Sequence, residues 1–134
     1  MQFLVVAPTE EEVQEILETT LGRAFALQVA ADQWRKAGAQ HPFGEHFRGY
    51  VDWVPERYDR KTLEAALAAV PPELIGFGLL WGTPERVAGK LRAYGESGVR
   101  HIVLFPISML VSWRAAIYAL WAVGKIARLM RNAR

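Results

Sequence analysis

Cysteine is absent from the 134 residues, which excludes disulfides, thiolate metal sites and cysteine nucleophiles. That absence fits a reducing compartment, and a cytoplasmic location is the expectation. A dominant charge is also lacking. Sixteen Lys and Arg against fourteen Asp and Glu leave a formal charge of +2, too small an excess to point to nucleic acid as a partner. No basic region precedes the apolar start Phe3 to Ala7, which turns acidic at Glu10 to Glu12, so this end does not read as a signal peptide. Repeats, low-complexity tracts and dividing linkers are missing too, and residues 1–134 are expected to form a single unit. What remains is apolar: 51% of the chain is hydrophobic, enough for a core or for a face that seeks a partner.

The most informative stretch runs from the apolar segment Leu74 to Trp81 into Gly82-Thr83-Pro84-Glu85, through a helical pattern to Gly98, and on to Val99-Arg100-His101-Ile102-Val103-Leu104-Phe105. Thr83 is placed to cap a helix whose first residue, Pro84, has its φ pre-set and lacks only an N–H that no helical carbonyl would use. Val87, Leu91 and Tyr94 fall at i, i+4 and i+7, one apolar stripe, and Gly98 stands where a left-handed residue closes a helix. The β-branched run that follows has the composition of a buried parallel strand. Strand, helix and parallel strand make a βαβ crossover, so the expected class is α/β.

Elsewhere, Phe3 to Ala7 reads as a buried strand. Pro8-Thr9 opens a helix whose carboxylates Glu10, Glu11 and Glu12 suit the positive end of the macrodipole, with Val13, Ile16, Leu17 and Leu21 as its apolar face. A second helix is expected over about 24–38, packed through Phe25, Val29 and Trp34. Periodicity fails between His41 and Arg60, which marks a loop excursion over 41–60, and Lys61 to Ala69 is a short helix stopped by Pro71-Pro72.

The order Val70-Pro71-Pro72-Glu73-Leu74-Ile75, a short apolar run, Gly82-Thr83-Pro84-Glu85, a helix, and Gly98-Val99-Arg100-His101-Ile102-Val103-Leu104 resembles the C-terminal part of the luciferase-like flavin- or deazaflavin-dependent oxidoreductases and monooxygenases. It is most similar to the branch of the methylenetetrahydromethanopterin reductases and phthiodiolone ketoreductases. The similarity runs from about Phe3 to Arg131. It implies a TIM barrel with hydride-transfer chemistry at the C-terminal ends of its strands, using a deazaflavin coenzyme or FMN. A TIM barrel typically takes about 250 residues, so this chain supplies a partial (β/α)8 barrel, roughly the last three strand–helix units. It lacks the barrel's N-terminal half and is expected to be inactive alone. The partners expected are a small-molecule substrate once the barrel is completed, and either a second copy or the remainder of the barrel. Two other readings stay open: a non-enzymatic, self-associating partial-barrel module, and a membrane-associated protein through residues 102–124.

That last segment holds 23 residues with a single charge, Arg114. Pro106 after a β-branched run, Ser108 and Ser112 as natural caps, and an arginine that would cost about 2.5–3.5 kcal/mol at mid-membrane favour dividing it. The expectation is a strand over 101–106 and a closing helix over 112–130, with a membrane partner disfavoured.

No catalytic residue and no metal site is assigned. His41, Glu45 and His46 form H-x-x-x-E-H, but Pro42 and Gly44 break the helix that metalloenzyme motifs need, so these read as solvated loop histidines. Phe43, Phe47, Tyr50, Trp53 and Tyr58, interleaved with Arg48, Arg57 and Arg60, either cover a pocket for a flat or anionic ligand or pin the loop to its scaffold. Arg48, Tyr50 and Trp53 are the candidate substrate-pocket residues. Gly82 and Thr83, between a strand end and a helix start, are either a cofactor-binding turn that meets an anion or only a cap. The chain alone is expected to bind neither cofactor.

Overall fold

A computed structural model of the chain describes residues 1–132. Contacts group it into two compact units, one formed by Met1–Ile16 with the chain from Leu79 onward, the other by Leu17–Gly78.

The first unit is built on three parallel strands, β1 (Gln2–Val6), β2 (Leu80–Gly82) and β3 (Leu104–Pro106), in the order β2-β1-β3. Each strand leads into a helix: α1 (Glu10–Glu18) after β1, α5 (Pro84–Glu96) after β2 and α6 (Trp113–Arg131) after β3. The α/β class and the βαβ crossover are therefore present. The pairing is staggered: Leu4 to Val6 face Leu80 to Gly82, while Gln2 to Leu4 face Leu104 to Pro106. Leu4, Val6 and Leu80 point to one side of the sheet and are covered there by Val87 and Leu91 of α5 and by Ala119, Ala122 and Ile126 of α6. The small alanines let α6 approach closely.

Both flanking strands are shorter than the sequence suggests. Gly76 and Gly78 adopt φ of +80° and +74°, which ends extended backbone before Leu79, so of the run 74–81 only its last two residues join Gly82 in a strand. At β3 the register sets the limit. Gln2 already pairs with Leu104, so residues 101 and 102 lie past the start of β1 and have no strand to meet, although the N–H of Gln2 still donates to the Val103 carbonyl at 2.7 Å. The expected burial of that run fails for half of its residues: His101, Val103 and Phe105 are exposed, because they alternate away from the face on which Ile102 and Leu104 pack against the core. Beyond Pro106 the chain turns into a short 3-10 segment, Ile107–Leu110, where the buried Ser108 Oγ accepts the Val6 N–H at 3.4 Å, a bond a longer β3 would have made with backbone. Ser112 caps α6 by accepting from the Ala115 N–H at 3.1 Å. Residues 102–124 are thus divided between strand, 3-10 turn and helix. Among the described residues no helix is long and apolar enough to cross a membrane.

α5 follows its expected course with two corrections. Gly98 takes φ +91° just beyond the C-terminus, but Tyr94 at the end of the stripe is exposed. Thr83 occupies the N-cap with extended backbone, yet its side chain makes no capping bond, and the Thr83 carbonyl instead accepts from Val87 at 2.9 Å.

The second unit holds α2 (Thr20–Ala26), α3 (Ala31–Lys36), α4 (Arg60–Ala68) and short 3-10 turns at Gly49–Val51, Pro55–Arg57 and Pro72–Leu74. The single helix expected over 24–38 is two, broken between Leu27 and Ala30. Gly49, at φ +73°, lies there with room for no side chain, since a Cβ would sit 2.7 Å from the Gln28 carbonyl oxygen. Trp34 is fully buried among Leu27, Ala66, Val70 and Leu74, and its indole N–H donates to the Ala26 carbonyl at 3.2 Å.

His41 is a correction: it belongs to this core rather than to solvent. Its ring stacks on Phe47 at 4.2 Å, Nε2 donates to the Leu27 carbonyl at 3.2 Å, and Nδ1 accepts the Phe43 N–H at 3.1 Å. That pattern fixes the neutral ring, and burial lowers its pKa. His46 remains exposed.

Candidate functional site

Because the three strands run parallel, the turns β1–α1, β2–α5 and β3–α6 all leave from one edge of the sheet. In α/β folds ligands collect outside the carboxyl ends of the strands, above all where chain connections depart in opposite directions. Here that switch lies at β1, with β2 on one side and β3 on the other.

A cleft of about 320 Å³ opens at this place. Val6, Ala7 and Pro8 form its floor as β1 ends, Glu12, Glu15 and Ile16 of α1 form one wall, and Val111, Ser112, Arg114, Ala115 and Tyr118 form the other. The α1 wall follows from its start: the Thr9 hydroxyl accepts the Glu12 N–H at 3.2 Å and donates to the Glu12 carboxylate at 3.4 Å, which sets the helix running. Glu12 and Glu15, three apart, then share one face. The Tyr118 phenol has its pKa raised, first by burial and then by the carboxylates of Glu85 and Glu12, so at neutral pH it is a hydrogen-bond donor. The cleft therefore offers apolar floor, two carboxylate acceptors, a phenolic donor and one guanidinium.

The neighbouring turn carries Gly82 and Thr83. Gly82 has φ +143°, and a Cβ there would lie 3.0–3.1 Å from the Arg86 side chain. Arg86 reaches across to Glu10 at 2.9 Å and lies over the Trp81 ring at 4.7 Å, while Lys90 donates to the Trp81 carbonyl at 2.8 Å and sits 4.1 Å above the same ring. Both cations are thus engaged by the sheet edge, and burial lowers the pKa of Lys90. Gly82→Val is expected to destabilise the first unit by about 1–3 kcal/mol, because a β-branched residue must hold a left-handed backbone and displace Arg86. Urea unfolding checks this, and an unchanged midpoint would mark the turn as ordinary.

The other sequence candidates sit in the second unit. Arg48 is bound by Asp52, whose carboxylate takes its guanidinium at 2.7 Å and its backbone N–H at 2.8 Å. The pair raises the pKa of Arg48 and lowers that of Asp52. Tyr50 is exposed, and Trp53 lies 5.8 Å from Phe43, which itself stacks on Tyr58 at 3.9 Å. Arg48 and Trp53 thus take part in the loop's own structure, and these three residues and the Gly82–Thr83 turn belong to different compact units. Among the described residues no group of three or more His, Asp or Glu could hold a metal ion.

Sequence reasoning missed the cleft. Glu12 reads as a helix-dipole carboxylate and Arg114 as an obstacle to membrane insertion, and only the pairing of β1 with β3, 102 positions apart at Leu4 and Pro106, brings them together. The one local signal was the i, i+3 spacing of Glu12 and Glu15.

Comparison with known proteins gives a consistent relationship. The family model described as luciferase-like monooxygenase matches residues 1–101. Phthiodiolone/phenolphthiodiolone dimycocerosates ketoreductases are similar to this chain: that of Mycobacterium sp. (strain JLS) is 31% identical over 131 residues, covering 97% of this chain and 34% of the relative. That of Mycobacterium tuberculosis is 29% identical over 130 residues, covering 96% and 34%. That of Mycobacterium kansasii is 28% identical over 130 residues, covering 96% and 35%. The chain spans about a third of the length of the curated relatives it matches. No solved structure gives a significant match. With the family model covering three quarters of the sequence from Met1 onward, and with the parallel α/β sheet beneath it, the chain belongs to the luciferase-like monooxygenase family.

Proposed function

We propose that this chain is the C-terminal segment of a flavin- or deazaflavin-dependent oxidoreductase that transfers hydride to or from an organic substrate, and that it does not turn over alone. The observation that carries the reading is the shared carboxyl edge of the parallel sheet, from which all three strand–helix turns leave. That is the edge on which α/β barrels keep their chemistry. In this reading β1, β2 and β3 with their helices are the last three units of a (β/α)8 barrel. Consecutive barrel strands would lie in the order β1-β2-β3. In the chain by itself, β3 takes the edge of β1 that the preceding barrel strand would occupy. The outer edges of β2 and β3 stay open, and a second copy or the remainder of the barrel is the partner that closes them.

The residues present do not make a whole cofactor site. Three glutamates stand in the first turn of α1, which repels a phosphate from that helix start. The Ser112 hydroxyl already serves as a cap, and Arg86 is held by Glu10. Arg114 remains as a cation beside the cleft, enough for one anionic group and not for a tricyclic ring with its phosphate tail. Drug-sized ligands bury most of their surface in a concave site, and the two carboxylates here oppose an anionic ligand. When bound in the completed enzyme, the cofactor supplies the hydride chemistry. In the completed barrel β2 would stand between β1 and β3, so the cleft between α1 and α6 would not persist, and the part of this chain in such an enzyme is barrel wall, a loop over the pocket and the closing helix.

The test is to titrate the purified chain into FMN and into the deazaflavin coenzyme and follow fluorescence anisotropy. No saturation is expected below about 10 μM, equivalent to roughly −7 kcal/mol. Saturable binding under that concentration would mean that the chain builds a complete site without the rest of a barrel, and the segment reading would fall.

A further inference from the structure

Beyond that reading, α6 carries a feature that neither its packing nor the cleft uses. One side of the helix buries Ala119, Ala122 and Ile126 in the core. The opposite side leaves Trp113, Leu120, Ile117 and Trp121 70%, 64%, 62% and 49% exposed, and Leu110 just ahead of the helix is 62% exposed. Trp113, Ile117, Leu120 and Gly124 follow spacings of four, three and four, so they form one stripe along the axis. A contiguous exposed stripe of this size, with two tryptophans, marks a docking surface rather than ordinary surface scatter.

Charge decides what docks. The helix Trp113–Arg131 contains no Asp or Glu, while Arg128 and Arg131 are exposed along the stripe and Arg114, which also borders the cleft, is exposed beside it. Lys125 is the exception, taken up by Glu85 of α5. Two copies meeting through this face would bring six arginines together with no carboxylate on either helix to pair them. An anionic lipid surface supplies the missing countercharge over an area, and its headgroup boundary suits tryptophan, whose ring is apolar with a polar N–H at its rim. We infer that α6 is an interfacial anchor that lies flat on an anionic bilayer, its stripe in the acyl boundary and its arginines among the headgroup phosphates. Such binding needs no crossing helix.

The experiment mixes the full chain with vesicles of phosphatidylcholine alone and of equal parts phosphatidylcholine and phosphatidylglycerol, reading cosedimentation and the tryptophan emission maximum. Cosedimentation and a blue shift are expected with the anionic vesicles only, weakening as salt is raised. Ile117→Glu with Leu120→Glu, both at exposed positions, should abolish binding while circular dichroism stays unchanged. Arg128→Gln with Arg131→Gln should weaken it roughly 25-fold, each arginine near a charged bilayer counting for about a fivefold change. Equal binding to both vesicles, or binding to neither, would overturn the inference. So would a dimer in sedimentation equilibrium that the Ile117→Glu/Leu120→Glu variant dissociates, since the face would then belong to a second copy.

Discussion

Trp34→Ala is expected to lower the unfolding free energy of the unit Leu17–Gly78 by about 3–5 kcal/mol, the range for emptying a large aromatic site. The indole is fully buried and touches α4 residues and the segment that follows them, so alanine leaves a cavity between elements that no single side chain can collapse to fill. It also removes one of two hydrogen bonds at the Ala26 carbonyl, which accepts the indole N–H at 3.2 Å and the Val29 N–H at 3.2 Å near the end of α2. Trp34→Phe is the milder change: a six-membered ring stays while the donor and part of the volume go, and a loss of about 1–2 kcal/mol is expected. Urea unfolding followed by far-UV circular dichroism reads both. Since whole domains are stable by only about 5–15 kcal/mol, the alanine variant should leave this unit largely unfolded at 37 °C. A cost below about 1 kcal/mol for Trp34→Ala would show that the core of the unit lies elsewhere.

The second large effect belongs to Gly22. Its φ is ordinary for a helix, and the requirement is one of space: a Cβ would fall 2.0 Å from the Leu17 carbonyl oxygen and 2.8 Å from the Leu17 Cα. Both are backbone atoms and cannot rotate away, so Gly22→Ala must push α2 off the end of α1 or unwind the junction that Thr19 caps through the Gly22 N–H at 3.4 Å. A loss of about 3 kcal/mol or more is expected, against the gain of up to about 1 kcal/mol that the same change gives at an unconstrained helical glycine. Gly89 and Gly95 of α5 and Gly124 of α6, where a Cβ meets nothing within 4 Å, provide that control in the same protein. Equal, mildly stabilising responses at Gly22 and Gly89 would refute the close approach.

The parts of the fold that the sequence discloses are those decided by neighbours in the chain. Thr9 with its three glutamates, Pro84, Gly98 and Ser112 each mark a helix end within a residue or two, because caps and left-handed turns are local chemistry. Pro106 likewise divides the segment 102–124 where the structure divides it. Strand length and order are different, since they depend on what lies opposite. Nothing near residue 101 says that β1 begins too late to pair with it, and nothing near Leu80 says that β2 and β3 take opposite edges of β1. The candidate site suffers most from this, as its walls come from residues about a hundred positions apart. His41 shows the same limit on a smaller scale. Its neighbours Pro42 and Gly44 suggest an open loop, whereas its burial depends on Leu27 and Phe47.

The central position of β1 has a further consequence, in time rather than in space. Leu4 pairs with Leu80 and with Pro106, 76 and 102 residues later in the chain. β1 must therefore wait for 76 further residues before its first edge is satisfied and for 102 before its second. Pairings of such long sequence separation are slow to form, because loop closure precedes the contacts that reward it. During synthesis the Phe3–Val6 segment is an apolar, β-branched stretch with both edges bare, while the helices of the second unit, whose contacts are local, can already close around Trp34. The unit Leu17–Gly78 is thus expected to close before the sheet does, and β1, whose two partners lie far along the chain, is the segment a chaperone would meet unpaired.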